Sequence, residues 1–182
     1  KLGESILDPA CGTGGFLTSV IDSYKGSIQS AKDYRKLQQS IRGIEKKPFP
    51  YLLCVTNLIA HGIDVPDIRH DNTLRKPTAE YTLKDKVEVI VTNPPFGGAE
   101  EKAISQSVPA DLRNTETADL FLVHIMALLN DGGRCGMVLP DGFLFGGGVK
   151  SAIKQKLLAD CNLHTIVRLP KDVFAPYTNI NT

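Results

Sequence analysis

Short apolar runs alternate with longer segments of helical period along the 182-residue chain. Residues 5–8 (SILD) read as a strand, closed by Pro9 and the glycines Gly12, Gly14 and Gly15. Residues 16–24 carry apolar positions on one helical face, and residues 30–39 read as a polar extension of that helix. Residues 41–45 predict a second strand, 51–61 a helix and 68–73 a short third strand. Residues 87–91 (VEVIV) are dense in β-branched side chains and predict the strongest strand. Residues 117–130 give the clearest helix, with Thr117 placed to cap it and Asp131-Gly132-Gly133 to stop it. Residues 135–139 and 166–169 predict two further strands, with a helix over 149–159 between them.

Strands alternating with helices imply βαβ units, hence an α/β fold with a mostly parallel sheet flanked by helices. One domain accounts for residues 1–182, because no composition shift marks a linker. Residues 97–116 form a polar stretch without periodicity, the pattern of a lid or a disordered loop.

Composition narrows the function classes. Twenty-one Lys and Arg stand against 20 Asp and Glu, a net charge of +1. A domain that grips a nucleic-acid duplex unaided carries a clear basic excess, so bulk charge does not make this chain an autonomous polyanion binder. No apolar run approaches the ~18 residues of a membrane helix, and no cationic, hydrophobic leader is present. The expected location is therefore the cytoplasm, with no membrane partner. The cysteines at 11, 54, 135 and 161 form no CxxC pair and read as thiols of a reducing compartment. His61, His70, His124 and His164 show no ligand spacing, so no metal is expected. The chain opens on Lys-Leu-Gly and ends on Asn-Ile-Asn-Thr, and both ends are expected to continue in a longer protein.

Two segments carry chemistry. ILDPACGTGGFL puts Asp8 at the carboxyl end of the first strand and three glycines in the turn to a helix. Such a turn lets a ligand approach the backbone and offers it free helix N–H groups. The dinucleotide fingerprint GxGxxG fails at Leu17, and the phosphate loop GxxxxGK[ST] is absent. A carboxylate ahead of the glycines disfavours phosphate and suits a cationic, amino-bearing ligand. Glu45, ending the second strand, can accept both hydroxyls of a ribose. Asp71, at the end of the third, can accept from an adenine amino group or simply cap the turn in HDNT.

The second segment is Thr-Asn-Pro-Pro-Phe, residues 92–96, directly after the fourth strand. Pro94 and Pro95 lock a rigid, non-helical turn. The turn presents carbonyl oxygens and the Asn93 amide oxygen beside the Phe96 ring, an arrangement that fits a planar group bearing an NH₂; the alternative is a strand-ending proline turn with a core Phe. A GxSxG elbow is absent, which argues against a hydrolase.

DPACGTGGF followed by NPPF resembles the amino-group DNA methyltransferases, in the motif order of the N6-adenine branch. VEVIVTNPPFGG, ADLFLVHIMALLNDGGRCGMVLPDGFLF and VRLPKDVFAPYT extend the resemblance to the modification subunits of type I restriction-modification systems, over residues 6–182. The resemblance implies a Rossmann-like methyltransferase fold and S-adenosylmethionine as cofactor. It implies that Asp8 and the backbone of Ala10, Cys11, Gly12, Thr13 and Gly14 hold the methionine part. Glu45 would bind the ribose, and Asp71 with Asn72 would border the adenine. Asn93, Pro94, Pro95 and Phe96 would form the catalytic turn, with Phe96 stacking on a flipped adenine and Phe174 forming the opposite wall; by position alone Phe174 is equally a core residue. The implied partners are DNA and the specificity and restriction subunits of a type I complex. The resemblance also implies that a preceding helical region and the last strands lie outside the chain, and that this piece alone binds cofactor weakly. Two alternatives remain: NPPF chemistry on RNA or a protein glutamine, and a non-catalytic scaffold that kept the fold.

Overall fold

The computed structural model describes residues 1–176 and 178–182. They group into two compact units. One comprises residues 1–73, 82–93 and 128–137, the other 74–81, 94–127 and 138–182.

The first unit is built on β1 (Ile6–Asp8), α1 (Gly15–Tyr24), α2 (Ala31–Ser40), β2 (Ile41–Glu45), α3 (Pro48–Ala60), β3 (Asp67–His70), β4 (Val87–Thr92) and β5 (Leu129–Met137). The strands form one sheet in the order β3-β2-β1-β4-β5. Every pairing is parallel, as the alternation of strands and helices requires. The order reverses between β1 and β4, the switch point at whose carboxyl edge open parallel sheets bind their ligands. Beneath the sheet, Ile6, Leu17, Ile21, Leu37, Ile41, Leu58 and Ile68 form a continuous buried cluster.

Local chemistry sets the helix limits. Residues 30–39 do not extend α1: a 3-10 turn over Lys25–Ser27 separates the two. Ser30 then caps α2, its Oγ accepting from Asp33 N–H at 3.2 Å. Pro48 opens α3, where a missing N–H costs nothing, three residues before the apolar period begins.

β5 departs from the sequence expectation. The helix before it ends at Leu128, and the strand starts at once, so Asp131-Gly132-Gly133 lies inside the strand instead of stopping the helix. Leu129 pairs with Val87, but the next partner of β4 is Arg134 opposite Val89, and the surplus residues form a bulge. Gly132 has φ +73°, and a side chain on Gly133 would meet the Asn130 carbonyl at 2.8 Å. The two glycines therefore make a bulge that other residues would resist.

The second unit carries α4 (Lys102–Ser105), α5 (Thr117–Leu128, leaving the unit at its last residue), α6 (Gly142–Phe145) and α7 (Val149–Asp160). Residues 97–116 are more ordered than a lid: they include α4, a 3-10 turn over Ala110–Leu112 and a bridge between Ala99 and Glu116. Val108 and Leu112, both buried, fix this stretch. Thr117 does not cap α5 but starts it, the Glu116 carbonyl receiving the first helical bond, from Leu120 N–H. The strand expected at 166–169 is absent: adjacent Ile166 and Val167 are both largely exposed, whereas a sheet strand would bury one of them. His124 is fully buried, with Nδ1 2.8 Å from Tyr81 Oη and Nε2 2.9 Å from Ser107 Oγ. Burial pushes its pKa down to about 4, so the neutral ring donates through one nitrogen and accepts through the other.

Among the described residues no helix is long and apolar enough to cross a membrane, and no group of three His, Cys, Asp or Glu residues could hold a metal ion.

Candidate active site

Asp8 closes β1 at the switch point of the sheet. It is 1% exposed, and its Oδ1 accepts from Ala10 N–H at 3.0 Å and from Thr92 Oγ at 2.7 Å. Burial is the main influence on this carboxyl; with a contribution from the nearby Glu45 charge it pushes the pKa up to about 7, against the two hydrogen bonds. Asp8 thus shapes the glycine turn from beneath, and a cation beside it would find a carboxyl ready to ionise near neutral pH.

The turn itself is pinned at several points. Cys11 N–H donates to the Ile44 carbonyl at 3.0 Å and Gly14 N–H to the Cys11 carbonyl at 2.7 Å. Asn57 of α3 donates to the Thr13 carbonyl at 2.8 Å, and Thr73 donates to the Pro9 carbonyl at 2.6 Å. Gly14, at φ +88°, has no room for a side chain: a Cβ would stand 2.9 Å from Cys54 Sγ. Gly12 has φ +55° with open space where a Cβ would be. No side-chain hydrogen bond caps α1, so its first N–H groups remain available to a ligand. Beneath the turn the protonated Cys11 and Cys54 thiols share an S–H···S hydrogen bond of 3.6 Å. That bond and burial push the Cys11 pKa far up, which makes this a packed, unreactive pair.

Glu45 meets the turn from β2. Its Oε2 accepts from Gly12 N–H at 2.9 Å and its Oε1 from Lys47 N–H at 2.7 Å. Each oxygen keeps a lone pair for an external hydroxyl. Asp71 N–H donates to the Glu45 carbonyl at 3.0 Å, and Asp71 Oδ1 accepts from the buried Asn72 N–H at 2.7 Å. The first unit therefore brings Asp8, the turn from Ala10 to Gly14, Glu45, Asp71 and Asn72 together along one sheet edge.

The chain leaves the first unit between Asn93 and Pro94. Asn93 Oδ1 is buried and has no hydrogen-bond partner among the described residues. An unmatched buried acceptor costs roughly 1–3 kcal/mol. In the second unit the rings of Phe96 and Phe174 meet edge to face, with centroids 5.5 Å apart and planes at 73°. The two positions lie 78 residues apart in the chain.

Sequence reasoning missed Thr92, Thr73 and Asn57. Thr92 had a signal: it follows VEVIV as a polar residue in phase with buried Ile90. Thr73 and Asn57 act on the turn through tertiary contacts that no local pattern announces.

The N-6 DNA Methylase family matches residues 1–182. The chain is 58% identical over 184 residues to the Type I restriction enzyme EcoEI methylase subunit of Escherichia coli, covering 100% of this chain and 37% of that protein. It is 32% identical over 184 residues to the EcoKI methylase subunit of Escherichia coli strain K12, covering 94% of this chain and 34% of the relative. Among solved structures it is similar to one described as a modification subunit of a type I restriction enzyme from Vibrio vulnificus YJ016. That likeness has 49% identity and a TM-score of 0.92, over 99% of this chain and 39% of the other. The chain spans less than two fifths of each of these three proteins.

Proposed function

The chain belongs to the N-6 DNA Methylase family, and on that premise we propose that it is the catalytic domain of an adenine-specific DNA methyltransferase. The protein transfers a methyl group from S-adenosylmethionine to the N6 amino group of adenine, as the modification subunit of a type I restriction-modification system. The observation that carries this reading is Asn93 Oδ1, a buried acceptor without a donor, placed by the chain next to Pro94 and Phe96.

The first unit's residues fit the cofactor. Gly12 leaves open space above a left-handed backbone, and α1 presents uncapped N–H groups. Glu45 retains lone pairs for two ribose hydroxyls, and Asp8 favours a neighbouring cation. In this reading the backbone from Ala10 to Gly14 holds the methionine part, and Asp71 and Asn72 border the adenine. When bound, the cofactor supplies a methyl group already carried on a sulfonium, so no residue has to activate a leaving group.

What remains for the chain is to place a poor nucleophile. The exocyclic amine of adenine is conjugated with its ring. Asn93 Oδ1 and the Pro94 carbonyl accept hydrogen bonds from its two N–H groups, turn its lone pair out of conjugation and favour the positive charge that develops as the N–C bond forms, until the methylated nitrogen releases one proton to water. Pro95 keeps the turn rigid. The base must leave the duplex to reach these groups, at a cost of a few kcal/mol, and Phe96 returns part of it by stacking, with Phe174 packed against that ring. A net charge of +1 leaves much of the DNA grip to the specificity subunit, with the restriction subunit completing the assembly in the cytoplasm.

The test offers labelled S-adenosylmethionine to the full-length protein with duplex DNA, structured RNA or a glutamine-bearing protein, with and without the specificity subunit. Label is expected in DNA, strongly dependent on that partner. Label in RNA or protein would replace this reading with the corresponding methyltransferase. Label in none would reduce the chain to a scaffold.

A further inference from the structure

Beyond Phe96 the chain doubles back on the start of α5. Thr117 N–H donates to the Gly98 carbonyl at 3.0 Å and Glu100 N–H to the Thr115 carbonyl at 2.8 Å. The two segments are so close that a side chain on Gly98 would stand 2.7 Å from Thr117 Oγ. The far side of this small ladder is held from α7. Lys150 Nζ donates to Glu116 Oε2 at 2.5 Å and to both carboxylate oxygens of Asp119 at 2.8 Å. All three ammonium hydrogens are thereby used. Asn114 completes the knot, donating to Asp119 Oδ2 at 2.7 Å and accepting from Glu116 N–H at 2.9 Å.

This is a buried ion pair, with Asp119 1% and Lys150 16% exposed. Surface pairs contribute little, but a buried carboxylate stripped of its cation is strongly disfavoured. The lysine stem also has a prepared path, since it occupies the space where a side chain on Gly146 would sit. Its ammonium lies 5.8 Å from the centre of the Phe143 ring. Every link from Lys150 to Gly98 lies within the second unit, two residues along the chain from Phe96.

We propose that Lys150 is a positioning residue for methyl transfer: through Asp119 and Glu116 it fixes residues 98–100, and with them the Phe96 ring that receives the target base. The proposal rests on the adenine-methyltransferase reading. It assigns Lys150 no contact with cofactor or base. A misplacement of about 1 Å at a reacting group can cost about 100-fold in rate, so a strut one layer away has leverage on kcat.

The test uses the full-length protein assembled with its specificity subunit, and DNA carrying 2-aminopurine at the target adenine, whose fluorescence reports extrusion and ring stacking. Lys150→Met is expected to lower kcat 10- to 100-fold on ordinary DNA by the same leverage and to change the 2-aminopurine signal. Calorimetric cofactor affinity should stay within about twofold, because the groups assigned to the cofactor belong to the first unit. Lys150→Met/Asp119→Asn removes the unpaired charge, preserves folding and should show the same split. Unchanged kcat and fluorescence in a folded variant would overturn the proposal. So would parallel losses of kcat and cofactor affinity that match a loss of folded protein. Phe96→Ala separates the two levels: if it leaves rate and fluorescence unchanged, the stacking role fails and the positioning role with it.

Discussion

Asp8 is where burial most changes the chemistry of a single residue. Its pKa is raised from the ordinary carboxylate value to about 7, chiefly by desolvation. The folded state therefore prefers the protonated form. That preference contributes stability at pH below the unfolded value near 4, and the contribution is lost as pH rises towards about 7. Comparing the wild type with Asp8→Asn by chemical denaturation isolates the effect. The wild type should lose stability relative to the variant by up to about 1.4 kcal/mol per pH unit between pH 5 and 7, levelling above that. Equal slopes would show that Asp8 is already ionised in the fold. In the proposed site, affinity for a cationic cofactor should rise over the same interval. Asp8 and Asn93 were legible in the sequence because each sits at a strand end beside a diagnostic turn. Thr92, which bonds Asp8 across two strands, was legible only as an unexplained polar residue at the end of an apolar run.

At the scale of elements, the glycine turn and α3 act as one piece. Gly14 combines a left-handed backbone with a contact that already fills the space of a Cβ. Gly14→Ala should destabilise the protein by about 1–3 kcal/mol, seen as a lower midpoint in thermal or denaturant unfolding, and should weaken cofactor binding at least tenfold. Gly15→Ala, with no atoms within 4 Å of its Cβ position and no left-handed φ, serves as the matched control and should be near neutral. Ser30→Ala probes a distant element: losing the α2 cap should cost about 1 kcal/mol and leave cofactor affinity unchanged.

The same scale shows where reading a sequence fails. Strands with β-branched runs, such as β4, and helices with a clear period, such as α7, lie within a residue or two of expectation. Asp131-Gly132-Gly133 carries the signature of a helix stop, yet pairing with β4 draws it into a bulged strand, because the ladder bonds outweigh local turn preference. Residues 166–169 have strand composition but no partner strand among the described residues, and composition alone makes no sheet. Residues 97–116 lack periodicity because their order comes from two short helical turns and the single Ala99–Glu116 bridge beside the start of α5, neither of which leaves a repeating pattern.

For the molecule as a whole, charge and length point the same way. A net charge of +1 over 182 residues gives little counterion release on a duplex. The chain also spans less than two fifths of each of the three relatives named above. We expect the full-length modification subunit alone to bind DNA at least tenfold more weakly at 150 mM salt, a condition of about physiological strength, than the same subunit with its specificity partner. The increase should follow the partner's target sequence, as read by fluorescence anisotropy. Sequence-selective binding of equal strength by the lone subunit would contradict this division of labour.

The central claim is that Asn93 supplies the acceptor for the adenine amine. Nucleoside mass spectrometry of target DNA, after reaction with the assembled enzyme and its Asn93→Ala variant, tests it most directly. The wild type should produce N6-methyladenine, and the variant should lose at least about 100-fold in rate while binding S-adenosylmethionine within about twofold of wild type by calorimetry. N6-methyladenine formed at wild-type rate by the variant, or a collapse of cofactor affinity equal to the loss of rate, would contradict it.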